Sequence, residues 1–409
     1  MSPATSAAPE VERGEASGIR FMRADECLDE VWQGIGAAWK GRPLYGASRS
    51  GLTPAKEAIG KHPERYKAVE PGTVFYNPMR ILLGSIAMLD DGEAPGITSP
   101  DYVVVRGRPG VLHHRVFYYW LRSTAGEQLI RDLARGGVRE RILFNRLCEG
   151  RLPVPPWPVQ ERLAEQLAIV PRARAAAAQR LDAAESLPAA LLRDVFEGPQ
   201  ASGWEMMRLG DVAFVSGGVQ KSPGRAPREH HRPYLTVRNV QRGFLDLTSV
   251  ERFEVTPSEL ERLRLQRGDI LIVEGNGSPD HIGRNAVFDL DGEEWVHQNH
   301  VIRVRLGERA SHHYVSTYLN SPAGKAQMME KARSTSGLYT LSTEKVNSLQ
   351  VPIPDLPTQH RIAADLSARF AAAEGVIARC REELAAIEAL PAALLRDAFG
   401  GSTTSGDTP

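Results

Sequence analysis

A ten-residue sequence occurs twice in this chain. LPAALLRDVF spans Leu187 to Phe196 and LPAALLRDAF spans Leu390 to Phe399, with nine of ten positions identical. Each copy follows a proline-spaced segment and a glutamine, Gln160 in the first copy and Gln359 in the second. The offset between copies is 199 residues at the glutamines and 203 at the decapeptides, so the second copy is longer by about one helical turn. This period is too long for a solenoid and predicts a molecule built from two related halves.

The segment that ends in each decapeptide has a helical pattern. Apolar residues follow alternating steps of three and four, the 3.5-residue spacing of a coiled coil. Arg174 is a charged member of the first pattern, and an arginine stem can lie along apolar surface. Because the two patterns match, we predict that the helices pack as an antiparallel coiled coil within one chain, with Pro171, Pro188 and Pro391 preventing perfect straightness. The predicted seam consists of Leu163, Leu167, Val170, Leu181 and Leu191 in the first helix and Leu366, Phe370, Ile377, Leu384, Ile387 and Leu394 in the second.

A stretch with short β-like runs and frequent turn dipeptides precedes each helix. The clearest predicted strands include Thr73 to Tyr76, Ile81 to Met88, Tyr102 to Arg106 and Asp269 to Val273. The expected fold class is therefore α/β (α+β), with two mixed α/β domains separated by the two long helices and related by a pseudo-twofold. The predicted boundaries are a disordered tail at 1–17, domain 1 at 18–158, helix 1 at 159–198, domain 2 at 199–357, helix 2 at 358–400 and a disordered tail at 401–409.

Composition sets only broad limits. The formal net charge of the 409 residues is zero, so no global basic excess indicates a nucleic-acid partner, although a neutral protein can carry a basic face. Cys27, Cys148 and Cys380 are isolated thiols. Together with the lack of a signal peptide or an apolar membrane-length run, they predict a cytoplasmic location.

The two predicted domains share weak sequence correspondences. Pro43 and Tyr45 precede Ser48-Arg49 as Pro233 and Tyr234 precede Arg238-Asn239. The 70–74 segment precedes a Gly84-Ser85 turn as 266–270 precedes the 275–278 turn, and 120–123 resembles 318–321. The scaffold is shared while its polar residues differ, which is the pattern expected when one fold reads two different targets.

The chain resembles the specificity subunits of type I restriction-modification systems. The resemblance rests on the alternation of divergent domains with near-identical helices, on the Pro352, Pro354 and Pro357 run that leads to Gln359, and on Trp204 followed by the 208–212 opening of the second domain. Residues 268–271 and 297–304 also resemble that family, and the likeness covers residues 18 to 400. The first domain departs from it, because only the loosely similar 23–28 segment stands where an opening like 204–212 is expected.

The resemblance implies two target-recognition domains, each reading half of a bipartite asymmetric DNA site, with the helices setting the gap between half-sites. It implies no catalytic centre and no cofactor bound by this chain. The implied partners are double-stranded DNA, two modification subunits that methylate adenine from S-adenosylmethionine, and motor-nuclease subunits that cleave unmethylated DNA. S-adenosylmethionine, ATP and Mg are expected on those partner subunits.

Arginine, asparagine, serine and histidine side chains provide the expected DNA contacts, since these groups bind phosphates or base edges. Base contact and turn chemistry remain open alternatives for Arg238, Asn239, Asn276, Ser278 and Arg284. The basic 221–232 run favours a phosphate or groove contact. The candidate residues are Ser48, Arg49, Arg80 and Ser85 in the first domain and Lys221, Arg225, Arg228, His230, His231, Arg232, Arg238, Asn239, Asn276, Ser278 and Arg284 in the second.

Enzymatic motifs are weak in this sequence. His297 and His300 are three apart in a β-like run, which places them on opposite faces, and no third ligand has metal-like spacing. Asn77-Pro78-Met79-Arg80 lacks the second proline and aromatic residue of an adenine methyltransferase motif, and there is no P-loop. The alternative to DNA recognition is a structural adaptor in which a helical hairpin carries domains that bind protein.

Overall fold

The structure is a computed structural model that describes residues 18–134, 141–220, 222–275, 281–332 and 339–399. The predicted tails at 1–17 and 401–409 lie outside these ranges. The chain divides into two compact units. Unit 1 comprises residues 1–179 and 381–409, and unit 2 comprises residues 180–380. Each unit therefore contains one globular region together with part of each long helix.

Unit 1 begins with a short strand, a helical turn and an edge strand. Short 3₁₀ helices occur at Gly36–Trp39, Pro63–Arg65 and Ile81–Leu83. The strands and helices of its globular region are β1 (Arg20–Arg23), α1 (Ala24–Cys27), β2 (Leu28–Glu30), β3 (Tyr45–Ser48), β4 (Gly51–Pro54), β5 (Lys67–Val69), β6 (Thr73–Tyr76), β7 (Ile86–Leu89), β8 (Gly96–Thr98), β9 (Val103–Gly107), α2 (His114–Leu121), α3 (Thr124–Leu133), α4 (Phe144–Leu147) and β10 (Arg151–Val154). The first long helix, α5 (Trp157–Phe196), starts in unit 1 and ends in unit 2.

Unit 2 contains the same kinds of element in the same general order. Its globular region consists of β11 (Met206–Arg208), α6 (Leu209–Val212), β12 (Ala213–Ser216), β13 (His231–Leu235), β14 (Glu251–Glu254), α7 (Pro257–Leu263), β15 (Ile270–Val273), β16 (Asn285–Val287), β17 (Val296–His297), β18 (Val301–Leu306), α8 (His312–Asn320), α9 (Pro322–Ala332), α10 (Thr343–Asn347) and β19 (Gln350–Pro352). The second long helix, α11 (Leu356–Ala398), starts in unit 2 and ends in unit 1.

Each unit has a four-stranded antiparallel sheet with the same strand order. The order is β2-β9-β6-β7 in unit 1 and β12-β18-β15-β16 in unit 2. The registers also correspond, because Val74 pairs with Met88 and Val105, as Ile270 pairs with Val287 and Val304. Strands β6 and β15 are buried throughout, and apolar side chains of each sheet pack against the helices of the same unit. The predicted shared scaffold is therefore present in both units.

The opening of the first domain matches that of the second, although the sequences diverge. β1 pairs with β10 and leads into α1, just as β11 pairs with β19 and leads into α6. Ala24 and Cys27 are buried where α6 buries Leu209 and Val212. The sequence departure at 23–28 thus reflects different core side chains on one backbone pattern.

The long helices pack in opposite directions within unit 1. Leu163 and Leu167 of α5 share a hydrophobic core with Leu395 of α11. Further along α5, Arg174 binds Glu388, which precedes Leu395 on α11, with 2.9 Å between the guanidinium and carboxylate groups. Increasing residue number on one helix thus corresponds to decreasing number on the other, and the predicted antiparallel packing is confirmed here. The Arg174 side chain is 55% exposed, so its head reaches water as expected.

Within unit 2, the end of α5 and the start of α11 enter one core. Leu192, Val195 and Phe196 are buried together with Ile362 and Leu366. Every predicted seam residue is buried or half-buried in its unit. Both helices begin two residues before their predicted starts.

Two local expectations change in the structure. The predicted strand Ile81 to Met88 is a 3₁₀ turn at Ile81–Leu83 followed by strand β7. Gly84 separates the two with a φ of 79°, a left-handed conformation that favours glycine and interrupts an extended run. Among the helices of the described ranges, none combines the length and apolarity that a membrane span requires.

Candidate nucleic-acid interface

A buried glutamine ties each long helix to its own globular region. In unit 1 the Gln160 Oε1 accepts a hydrogen bond from the backbone N–H of His113, and its Nε2 donates to the carbonyls of Val111 and Pro155, each at 2.8 Å. Both the helix start and the loop before α2 are thereby held by one side chain.

The same arrangement recurs in unit 2. The Gln359 Oε1 accepts from the Ser311 backbone N–H at 2.8 Å, and its Nε2 donates to the carbonyls of Arg309 at 3.0 Å and Pro354 at 2.7 Å. Gln160 and Gln359 are both fully buried. These clamps explain why a glutamine follows the spaced prolines in each copy.

The predicted DNA-contact residues of the first domain lie on two adjoining segments. One is the β3–β4 hairpin with its Arg49-Ser50 turn, and the other is the β6–β7 connection at 77–85; we call these two segments tip 1. The Ser85 Oγ donates to the carbonyl of Ala47 at 2.7 Å. A Cβ atom on Gly84 would lie 3.4 Å from Cγ of Arg49, so the Arg49 stem lies over this glycine.

Unit 2 joins its corresponding segments in the same way. Tip 2 comprises the 236–249 connection after β13 and the described ends of the β15–β16 connection, residues 274–275 and 281–284. The Arg284 Nη2 donates to the carbonyl of Val237 at 2.6 Å. Because Arg284 follows Gly283 as Ser85 follows Gly84, each just before the second strand of the pair, the two side chains occupy equivalent positions. Most of the 275–278 turn, the predicted counterpart of Gly84-Ser85, lies outside the described residues; within them, Gly283 and Arg284 occupy the equivalent position.

Residues at the α2–α3 and α8–α9 junctions bind the first residues of β7 and β16. The Arg122 Nη1 donates to the Ile86 carbonyl at 2.9 Å, and the Asn320 Nδ2 donates to the Asn285 carbonyl at 3.0 Å. Arg122 also donates to the carbonyl of Arg49 in the hairpin turn. The predicted similarity of 120–123 to 318–321 gave no indication of this role, which only the fold reveals.

Three residues that were predicted to contact DNA instead hold the tips together. Ser85 and Asn239 are buried, and the Asn239 amide is satisfied by the Thr236 N–H and hydroxyl and by the carbonyls of Asp246 and Ser249. Arg284 is half-buried against the Val237 carbonyl, and burial lowers the pKa of its guanidinium. We therefore correct their assignment: these side chains support the tips instead of presenting free polar groups.

Two arginines in the basic run of unit 2 pair with acidic residues. Arg225 makes two contacts with the Glu259 carboxylate, at 2.6 and 3.0 Å, and this hydrogen-bonded ion pair lowers the pKa of Glu259 to about 2. Arg232 binds Glu294 at 3.2 Å, and the His231 Nδ1 lies 2.8 Å from Nε of Arg252. Arg225 and Arg232 therefore do not supply the expected free positive charge, because acidic residues far away in sequence pair with them, whereas the His231 imidazole accepts a hydrogen bond from Arg252.

The remaining candidates divide into three groups. Ser48 is half-buried and bonds within its own turn, to Ser50 and Gly51. Lys221, Asn276 and Ser278 lie outside the described residues. The exposed candidates are Arg49, Arg80, Arg228, His230 and Arg238. Arg228 and His230 precede β13 while Arg238 follows it, so this strand, about 16 Å long at roughly 3.3 Å per residue, separates the basic run from tip 2.

The other histidines and carboxylates that could form a metal or catalytic site have hydrogen-bond or ion-pair partners within the protein. His297 is buried and its Nδ1 lies 2.8 Å from the Val301 carbonyl, whereas the exposed His300 pairs with Glu274. Asp90, Asp91 and His114 lie close enough to share a cation. Arg115, however, binds the carboxylates of Asp90 and Asp91 at 2.7 and 2.8 Å, so this group forms an ion-pair network.

Comparison with known proteins gives consistent matches. Residues 201–376 match the family "Type I restriction modification DNA specificity domain". The type I restriction enzyme EcoKI specificity subunit of Escherichia coli (strain K12) is 26% identical over 330 residues, which cover 77% of this chain and 69% of that subunit.

Two solved structures share the fold. A chain from a study of complex assembly and conformational transition of the type I R-M system has a TM-score of 0.64 at 18% identity, covering 96% of this chain and all of the other. The HsdS subunit from Thermoanaerobacter tengcongensis has a TM-score of 0.55 at 21% identity, covering 93% of this chain and 96% of that subunit. The resemblance predicted from the sequence is confirmed.

Proposed function

The chain is a member of the family of type I restriction-modification specificity subunits, and on that premise we propose that it binds a bipartite, asymmetric DNA site through its two tips. One half-site is read by tip 1 and the other by tip 2, and the long helices set the gap between them. The family match is to a DNA specificity domain, so the chain supplies recognition and not catalysis.

This proposal is supported by the presence of the same scaffold in both units, with different side chains exposed on it. Both tips stand on equivalent sheets and are held by equivalent anchors, Ser85 and Arg284. The exposed side chains differ: Arg49 and Arg80 occur in tip 1, and Arg238 occurs in tip 2. Guanidinium groups suit both guanine edges and phosphates, so the tips supply suitable chemistry for different half-sites.

The repeated decapeptide supplies a duplicated surface for partners. Four positions of the decapeptide are exposed in both copies and carry identical residues, although core packing does not constrain exposed positions. These positions are Leu187, Ala190, Arg193 and Asp194 in α5 and Leu390, Ala393, Arg396 and Asp397 in α11. Identical surfaces suit two copies of one partner, and we assign them to two modification subunits. S-adenosylmethionine belongs to those subunits, and ATP and Mg belong to motor-nuclease subunits that join the complex.

Genome-wide mapping of methyladenine in cells that express this chain with its modification subunit tests the proposal. We expect one bipartite motif with a fixed gap. Replacing residues 18–150 by the equivalent region of another family member should change one half of that motif only. A motif in which both halves change together would contradict the assignment of one half-site to each unit.

The alternative function, a structural adaptor that binds protein, predicts a different result in solution. A gel shift with the assembled methyltransferase should retain duplexes that contain the mapped motif more strongly than scrambled duplexes of equal length. Equal retention of both would favour the adaptor.

A further inference from the structure

Tip 1 carries an exposed apolar cluster that phosphate or polar base contacts do not explain. Met79, Leu82 and Leu83 are 55%, 44% and 71% exposed. Ile81, which lies between them in the sequence, is buried in the core of unit 1. Large apolar side chains that remain exposed side by side commonly mark a binding surface. We call Met79, Leu82 and Leu83 the apolar cluster.

The surroundings of the apolar cluster indicate what it binds. Arg80 lies within the same turn, and Arg49 lies over Gly84, the residue after Leu83. Both arginines are exposed, and in the described ranges neither side chain has a hydrogen-bond or ion-pair partner. The two segments of tip 1, 45–54 and 77–85, contain no Asp or Glu, although the whole chain has as many acidic as basic residues. A locally cationic surface of this kind complements a phosphate backbone.

The backbone holds this turn in place. Leu83 and Ser85 donate their N–H groups to the Arg80 carbonyl at 3.0 and 3.2 Å. The Ile142 N–H donates to the Pro78 carbonyl at 3.1 Å, and Arg122 donates to the Gly84 carbonyl at 3.4 Å. The Ser85 hydroxyl links the segment to the carbonyl of Ala47. The apolar cluster therefore lies on a turn whose backbone is held by hydrogen bonds.

We propose that the apolar cluster, with Leu83 at its apex, is a wedge that enters a base step of the half-site read by tip 1 while Arg49 and Arg80 hold the flanking phosphates. Leucine and methionine side chains of architectural proteins partly unstack base pairs in this way and bend the duplex. A thymine methyl contact requires only one small apolar group, whereas this turn presents three large apolar side chains. Sequence at this step is then read through its deformability.

Tip 2 contains an independent example of the same combination. Phe244 is 61% exposed and follows Gly243, whose N–H donates to the Asn285 carbonyl at 2.8 Å. The exposed Arg238 lies in the same connection. Phe244 is the corresponding wedge for the second half-site.

This inference rests on the proposed DNA-binding function, and the experiment separates the two. The assembled methyltransferase is mixed with duplexes that carry 2-aminopurine at single positions of the mapped motif. Fluorescence should rise severalfold at one step of the tip 1 half-site, other than the target adenine, because methyltransferases flip that base themselves.

Leu83→Ala should abolish this rise and weaken binding about tenfold, as expected for the loss of one buried leucine contact. The signals in the other half-site should persist, and Phe244→Ala should show the reverse pattern. Leu83→Lys distinguishes a wedge from simple charge attraction, because it should also lose the signal although it adds a cation. The matched control is Ile169→Ala, which removes an equally exposed residue of α5 and should change nothing.

Three results would overturn the wedge. The first is unchanged 2-aminopurine fluorescence at every step while motif-selective binding persists, which leaves the DNA-binding proposal intact. The second is loss of the modification subunit from Leu83→Ala, which would make the cluster a protein interface. The third is the absence of any motif-selective binding, which would remove the proposed function as well.

Discussion

The side chain of Gln160 accepts a hydrogen bond from the backbone N–H of His113 at 2.8 Å, and so fixes the start of α5 to the loop that leads into α2. Gln160 is fully buried, and its amide also donates to two carbonyls. One side chain thereby links the start of the long helix to the globular region of unit 1. Gln359 does the same for α11 in unit 2.

Removing the Gln160 clamp should destabilise unit 1. Gln160→Ala leaves the His113 N–H and the Val111 and Pro155 carbonyls, of which only the Pro155 contact is fully buried, without their partner, and the expected loss is about 2–4 kcal/mol in the free energy of unfolding. Urea unfolding of the purified protein measures it. Gln166→Ala, an exposed site on the same helix, should change stability by less than about 0.5 kcal/mol. Equal effects of the two substitutions would show that the clamp contributes little.

The sequence predicts the periodic elements of this fold well, because helical spacing and buried strands leave strong local patterns. Thr73–Tyr76 was predicted to the residue, and both long helices were predicted within two residues of their bounds. Ile81–Leu83 was missed because its apolar residues form a turn that ends at a left-handed glycine. A run of apolar residues in the sequence does not distinguish a 3₁₀ turn from a strand.

The candidate site was harder to predict, because the state of a polar side chain depends on residues distant in sequence. Arg225 looks free in a basic run, yet its partner Glu259 lies on a helix that the chain reaches much later. Asn239 has the chemistry of an adenine reader, but its amide is used to build its own loop. Charge alone did not separate these residues from Arg49 and Arg238, which stay exposed.

Exposed and paired arginines should differ in their effect on DNA binding. Arg238→Ala should weaken binding of the assembled methyltransferase and lower the slope of log affinity against log salt by about 0.9, the value for one phosphate contact. Arg225→Ala should leave that slope unchanged, because its charge is already neutralised by Glu259. Fluorescence anisotropy over a salt series measures both. An equal loss for the two variants would argue against tip 2 as the contact surface.

Acid should destabilise unit 2 through His297. Burial lowers the pKa of this histidine to about 4, and its Nε2 has no hydrogen-bond partner in the described structure. The unfolded chain takes up a proton near pH 6.5 while the folded chain does not. Stability is therefore complete above that pH and falls as the pH drops toward 4, by on the order of 2 kcal/mol between pH 7 and pH 5.

The comparison variant for this pH effect is His297→Gln, which lacks the titrating group. Urea unfolding at pH 7 and pH 5 should show a smaller difference for the variant than for the wild type. An identical difference would assign the acid sensitivity to other groups, of which His113 in unit 1 is one, since burial also lowers its pKa to about 4.

The helix contacts in unit 1 should contribute unequally to stability. Leu167 is fully buried, so Leu167→Ala should cost about 2–4 kcal/mol. Arg174 and Glu388 form an exposed pair, and Arg174→Ala should cost less than about 1 kcal/mol. Thermal unfolding monitored at 222 nm, a standard wavelength for helix content, compares them. A larger loss for Arg174→Ala would mean that the ion pair, rather than the apolar seam, holds the helices together.

The length of α11 should determine the gap of the methylated motif if the helices act as a ruler. Deleting residues 371–374 removes four residues, about 6 Å of helix, which corresponds to roughly two base pairs at about 3.4 Å each. We expect methyladenine mapping to show a shorter gap with both half-site sequences unchanged, or no methylation where the shortened helix cannot pair. Replacing Glu374 by Ala keeps the length and should keep the gap. Normal methylation at the original gap by the deletion variant would show that the helices do not set this distance.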